Sequence, residues 1–272
     1  MKKLKKIGIV GCGAIGGFLA KTIENDFKSL ARLNGLCDID QDKIGLLIKK
    51  IKRRIPILAL DDLISKSDLI IEAASGKISP IICKKALEKN KDVMILSIGG
   101  LLNKHAIFSL AKMSRGKIIL PSGAICGIDG LKSAGIGKIR SVTLSTYKPP
   151  RGLKGAPYLI KKGIDLESIV GEKLIFSGNT ESAVKAFPKN INVSALLSIA
   201  GIGSKKTRVK IFTSPKFKKN IHEIKVEGEF GKFATRTENV PFPDNPKTSF
   251  LAALSAASTL KQILDEDLRI GT

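Results

Sequence analysis

The segment Gly11-Cys-Gly-Ala-Ile-Gly16 constrains this chain more than any other feature. It is a G-x-G-x-x-G set between Lys6-Ile-Gly-Ile-Val10, which reads as a short buried parallel strand, and Ile15 to Ile23, whose apolar residues fit a helix. In that setting the first glycine permits the tight turn and the second lets backbone approach a pyrophosphate. The third allows close strand–helix packing, and the helix N-terminus stabilises negative charge. Gly11, Gly13, Ala14, Ile15 and Gly16 are therefore candidate cofactor-binding positions. Asp38 closes the next apolar stretch, Ala31 to Cys37, at the ~20-residue separation expected of a carboxylate that binds the adenosine ribose hydroxyls. A carboxylate there repels a 2′-phosphate, so NAD is favoured over NADP, although Lys43, Lys49 or Lys50 can compensate.

The alternation of strands and helices continues to about residue 124. Asp40 to Lys52 reads as a helix, Asp61-Asp-Leu-Ile-Ser as a short capped helix and Ser67 to Ala74 as a strand. Ile78 to Lys89 and His105 to Met113 follow as helices, with Asp92 to Ile98 and Lys117 to Leu120 as strands. Strands and helices of these lengths predict a doubly wound parallel Rossmann sheet. Gly76-Lys77 and Gly99-Gly100 follow its strands, where such sheets place ligands or simply turn. Beyond it, period-2 stretches at Ser141 to Tyr147, Thr207 to Thr213 and His222 to Phe230 predict a second α/β domain with a mixed sheet. Asn192 to Ile202 has helical apolar density, and Thr248 to Leu264 reads as a last helix opened by a Thr or Ser cap. Pro149-Pro-Arg-Gly and Pro241 to Pro246 are loops by composition. The expected organisation is a dinucleotide-binding domain over 1–124 and a substrate domain over 125–245. A segment over 246–272 is expected to pack back on the first domain.

Composition narrows the class. No apolar run approaches the ~18 residues of a membrane span, and the start Met1-Lys-Lys-Leu-Lys-Lys-Ile lacks the apolar stretch of a signal peptide. The four cysteines, Cys12, Cys37, Cys83 and Cys126, form no C-x-x-C pair, so neither a metal site nor a disulfide framework is expected. A reduced, cytoplasmic protein is the simplest reading. The net charge of +23 raises nucleic-acid binding as a possibility. Yet the basic clusters are short and dispersed, with 11 Phe, 2 Tyr and no Trp in the chain, which reads as a solvated lysine-rich surface.

The chain holds two histidines, His105 and His222, as candidates for acid–base work at neutral pH. His105 falls in a helix of the first domain and reads as structural. His222 heads an alternating strand in Asn220-Ile-His-Glu-Ile. Four segments join that one: Leu120-Pro-Ser-Gly-Ala-Ile-Cys-Gly-Ile-Asp129, Lys148-Pro-Pro-Arg-Gly, Phe187-Pro-Lys-Asn-Ile-Asn-Val-Ser194 and Asn245-Pro-Lys-Thr-Ser249. Together with the glycine-rich loop they resemble the L-aspartate dehydrogenase family over essentially the whole chain. Cys126 departs from the resemblance, standing where another small residue is expected.

The resemblance implies a Rossmann domain followed by a mixed-sheet α/β domain, and oxidative deamination of L-aspartate to iminoaspartate with NAD or NADP. It further implies a homodimer and a link to quinolinate synthase in NAD synthesis. His222 matches the family's active-site histidine, and Ala124 with Asn192 or Asn190 matches cofactor contacts, Asn192 by the preferred register. A neutral His222 can accept the amine's proton, or a protonated one can bind a substrate carboxylate. Ser122, Lys148 and Arg151 are candidates to bind the two carboxylates of the substrate. Two rival readings stand beside this one: a dehydrogenase of similar plan acting on another small amino or hydroxy acid, and an NAD-sensing protein without turnover.

Overall fold

The computed structural model describes residues 4–188, 191–243, 245–265, 267 and 271. They divide into two compact units, one from 1–121 with 253–269 and one from 122–252 with the last residues of the chain.

The first unit begins with β1 (Lys5–Val10), α1 (Ala14–Asn25), β2 (Ala31–Cys37), α2 (Gln41–Ile51) and α3 (Leu60–Lys66). It continues with β3 (Leu69–Glu72), α4 (Ser79–Glu88), β4 (Asp92–Ile95), α5 (His105–Met113) and β5 (Ile118–Ile119). The strands lie in the order β2-β1-β3-β4-β5, all parallel. Every residue of β3 is buried, as a strand covered by helices on both faces requires. Ile7, Ile9, Leu69 and Ile71 of the sheet pack with Leu19 and Ile23 of α1 and Ile44 and Leu47 of α2. Each such side chain contributes roughly 1.5–3 kcal/mol on burial. Asp40 caps α2, accepting the Lys43 N–H at 3.2 Å. The short helix expected near Asp61 begins at Leu60 on Ala59, with no side-chain cap. The strand expected to reach Ile98 ends at Ile95, because the chain turns into a 3-10 turn over Ile98–Leu101.

The second unit contains α6 (Ile128–Ala134), β6 (Ile139–Lys148), α7 (Pro157–Lys162), β7 (Lys173–Asn179), α8 (Thr180–Ala186) and α9 (Asn192–Ala200). β8 (Arg208–Thr213), β9 (Asn220–Gly228) and β10 (Gly231–Asn239) complete its sheet. The order is β10-β9-β6-β8-β7, with β6 and β8 parallel and the other pairs antiparallel, so the sheet is mixed. Strands β7 and β10 and helices α6, α7 and α8 add to the elements read from sequence. The stretch expected as a loop at Pro241 to Pro246 instead contributes to a two-stranded hairpin of β11 (Pro241–Phe242) and β12 (Asn245–Ser249). The last helix, α10 (Phe250–Leu264), therefore starts at Phe250 rather than Thr248. Its Ala256 and Leu260 are fully buried in the core of the first unit.

Candidate active site

The glycine-rich turn joins β1 to α1. Gly11 has φ +98°, and a Cβ there would lie 2.5 Å from the Ala73 carbonyl, so no other residue fits without displacing backbone. A Cβ on Gly16 would come within 1.9 Å of the Gly11 oxygen. Gly13 is different: a Cβ there meets nothing within 4 Å. Gly13 is also the N-cap of α1, so the first amides of this helix have no capping side chain. Open space beside an uncapped helix N-terminus fits a dinucleotide pyrophosphate.

Asp38 follows β2 directly. Its Oδ2 accepts the Cys12 N–H at 2.6 Å and its Oδ1 the Asp40 N–H at 2.9 Å, fastening the glycine-rich turn to the end of β2. The carboxylate keeps further lone pairs for ribose hydroxyls. Lys43, a candidate to offset it, is paired with Asp40 at 2.9 Å.

Sequence reading overlooked Glu72 at the carboxyl end of β3. It is fully buried; Oε1 accepts the Ala74 N–H at 2.8 Å and Oε2 the Ser97 N–H at 2.9 Å. Burial pushes its pKa up, and those amides act in the opposite sense. One carboxylate thus ties together the loops that leave β3 and β4. Gly100 is packed against the same loops, since a Cβ on it would lie 2.2 Å from the Gly76 oxygen.

In the second unit a row of directly opposed residues crosses the sheet: Thr237 on β10, His222 on β9, Thr146 on β6 and Ile211 on β8. Opposed residues project on one face. Thr146 Oγ1 and His222 Nδ1 are 3.0 Å apart, and both residues are buried. Burial, and then the charge of Lys148, push the imidazole pKa down to about 3, so the ring is neutral at physiological pH. Of the two roles read for His222, burial favours the neutral ring over the protonated carboxylate ligand in the free protein. Lys148 follows two residues after Thr146 on the same face of β6, and desolvation brings its pKa down to about 8. Lys148 and Thr146 line a pocket with Val209 and Ile211 of β8, Phe187 and Ser194.

A second threonine braces the row. Thr237 Oγ1 donates to the Ala124 carbonyl at 3.1 Å, with the His222 carbonyl at 3.4 Å, and Asn239 Nδ2 donates to the same Ala124 oxygen at 3.1 Å. The turn holding Ala124 is thus pinned beside the strand that carries His222. The Asn239 Oδ1 is buried and has no partner among the described residues.

Of the other expected residues, Ser122 is half-buried near the start of this unit, and Arg151 is exposed in the 3-10 turn Pro150–Gly152 that follows β6. Asn192 is exposed at the first position of α9. Asn190 lies outside the described residues. His105 opens α5 in the first unit and is exposed. Cys126 is exposed, and its carbonyl accepts the Thr235 hydroxyl at 3.0 Å.

Comparison with known proteins places these features in a context. Residues 11–121 match the family described as homoserine dehydrogenase, NAD binding domain, and residues 129–263 match aspartate dehydrogenase, C-terminal. The chain is 51% identical to an L-aspartate dehydrogenase of Methanosarcina acetivorans over 98% of this chain and 99% of that one. It is 39% identical to an L-aspartate dehydrogenase of Nitrosopumilus maritimus over 99% of this chain and all of that one. The crystal structure of aspartate dehydrogenase from Thermotoga maritima superposes with a TM-score of 0.72 at 25% identity, covering 99% of this chain and 100% of that one.

Proposed function

The chain belongs to the L-aspartate dehydrogenase family, and from that premise we propose how its residues divide the work. The protein is an NAD(P)-dependent oxidoreductase acting on L-aspartate. The first unit holds the dinucleotide, with Gly11, Gly13 and the first turn of α1 at the pyrophosphate and Asp38 at the adenosine ribose. When bound, the dinucleotide supplies the acceptor for the hydride that leaves the substrate Cα. The second unit holds the substrate. The product is iminoaspartate, which feeds NAD synthesis through quinolinate synthase, and the enzyme works as a homodimer, as the family resemblance implies; the free cysteines suit a cytoplasmic setting.

The residues of the second unit suit a dianionic amino acid. The Lys148 ammonium is the cation for one carboxylate, and Ser122 and Arg151 are the donors for the other. The attraction of a dianion beside Lys148 offsets the desolvation that lowers its pKa. His222 is the catalytic residue, a neutral ring held in one orientation by Thr146. Ala124 and Asn192 complete the cofactor contacts. The observation that carries this reading is the buried row Thr237–His222–Thr146 with Lys148 on the same face. His222→Ala tests it: L-aspartate-dependent turnover is expected to fall by roughly 10²–10⁴-fold while NAD still binds. Unchanged turnover would remove His222 from the reaction.

A further inference from the structure

We propose that Thr146 donates its hydroxyl proton to His222 Nδ1, so that His222 meets the substrate through Nε2–H, as a neutral hydrogen-bond donor rather than as the acceptor of the amine's proton. This rests on the reading of His222 as the residue that touches L-aspartate.

The argument is an accounting of donors and acceptors. Thr146 is buried, and among the described residues its hydroxyl has His222 Nδ1 as its one hydrogen-bond partner. A buried hydroxyl proton needs an acceptor, and leaving it without one costs as much as a lost hydrogen bond. Among the described residues, the other polar groups lining the pocket have no hydrogen bond to Thr146. The Lys148 side chain, as an ammonium, carries donors only. Ser194 Oγ donates to the Ile191 carbonyl at 3.0 Å and has no bond to Thr146. The imidazole lone pair at Nδ1 is left as the acceptor, and a neutral ring that accepts at Nδ1 carries its proton on Nε2.

The far side of the ring agrees. Among the described residues, the enclosed side-chain polar atoms without partners are Ser67 Oγ and Asn239 Oδ1. Among the described residues His222 Nε2 has no hydrogen-bond partner either, and it is not one of these fully enclosed atoms, so a ligand can supply the missing partner. The charges around the ring act in the same sense. Lys148 on β6 is the charged group that acts on it, and the row neighbours on β10 and β8 are Thr237 and Ile211. Glu223 and Arg236 neighbour the row on β9 and β10 but project from the opposite face. An Nε2–H and the Lys148 ammonium on the same face of the sheet are two donors, which fits carboxylate oxygens.

The test reads the proton on the ring. His105→Gln leaves His222 as the one histidine in the chain, so the 15N spectrum of histidine-labelled full-length protein reports a single imidazole. At neutral pH the expected pattern is a protonated Nε2 and a bare, hydrogen-bonded Nδ1. Thr146→Val should shift the Nδ1 resonance toward the unbonded range, keep Nε2 protonated and lower kcat/KM for L-aspartate by roughly 3- to 10-fold. Thr146→Ser should restore both. A proton on Nδ1 in the wild-type background would overturn the proposal, whether or not the valine variant folds. So would a valine variant whose Nδ1 resonance does not move. If Nε2 is protonated but the wild-type protein does not oxidise L-aspartate, the functional reading fails and the placement of the proton stands.

Discussion

Lys148 acts on His222 across two adjacent antiparallel strands, and its charge works together with burial to keep the imidazole neutral. Two groups that could both carry positive charge thus share one face, and the structure holds the charge on the lysine. The consequences for pH, for substitution and for cofactor binding can be measured separately.

The His222 pKa falls from 6.5 to about 3 on folding. Between those values the unfolded chain binds a proton that the folded protein does not, so stability is complete above about pH 6.5 and is lost progressively as pH falls toward 3. At ~1.4 kcal/mol per pKa unit the whole effect is at most about 5 kcal/mol. Chemical denaturation from pH 4 to 7 should show His222→Gln losing less stability on acidification than wild type. Equal slopes would mean that the imidazole is not buried as a neutral ring.

Lys148→Met removes the cation and keeps most of the volume. Loss of a charge-assisted hydrogen bond predicts a fall in kcat/KM for L-aspartate of roughly 10- to 100-fold, with the KM for NAD unchanged. Because the ammonium deprotonates near pH 8, the gap between variant and wild type should narrow above that pH. A penalty independent of pH, or one seen in the KM for NAD, would take Lys148 away from the carboxylate.

Gly13→Ala and Gly16→Ala separate cofactor binding from folding. The space at Gly13 is empty in the protein alone, so Gly13→Ala should melt like wild type while its KM for NAD rises by about tenfold or more. The space at Gly16 is filled by the Gly11 carbonyl, so Gly16→Ala should be destabilised by roughly 1–3 kcal/mol. If Gly13→Ala binds NAD normally, the pyrophosphate does not lie where the turn suggests.

Glu72→Gln replaces one carboxylate oxygen with an NH2 group that cannot accept from the Ala74 or Ser97 amide. Leaving one buried N–H unmatched predicts a loss of about 1–3 kcal/mol, read as a lower melting temperature. An unchanged melting temperature would show that these loops do not depend on the carboxylate.

The parallel half of the fold was legible because its signals are local. A G-x-G-x-x-G after an apolar run and an aspartate after the next strand both reflect contacts made within one βα unit, and β2 and α5 occupy the residues read for them. The second sheet was legible where one face is buried, as in Val142, Leu144 and Thr146 along β6. It was not legible at β10, which turns back from β9 through Glu229-Phe230 with Gly231 at φ +107°, a connection without the usual hairpin residues. The partner of His222 was also invisible. Thr146 is separated from it by 76 residues, and only the register of β6 against β9 brings the two side chains together. Glu72 was hidden for a similar reason, since its partner Ser97 lies 25 residues on, beyond a helix and another strand.

The most direct measurement is reduced-nicotinamide formation by the purified protein with L-aspartate and NAD or NADP, beside L-glutamate, L-malate and homoserine. Reduction that depends on L-aspartate and is selective over the other three is the predicted result. Binding of NAD with no reduction, or reduction driven better by one of the other three, would contradict the account.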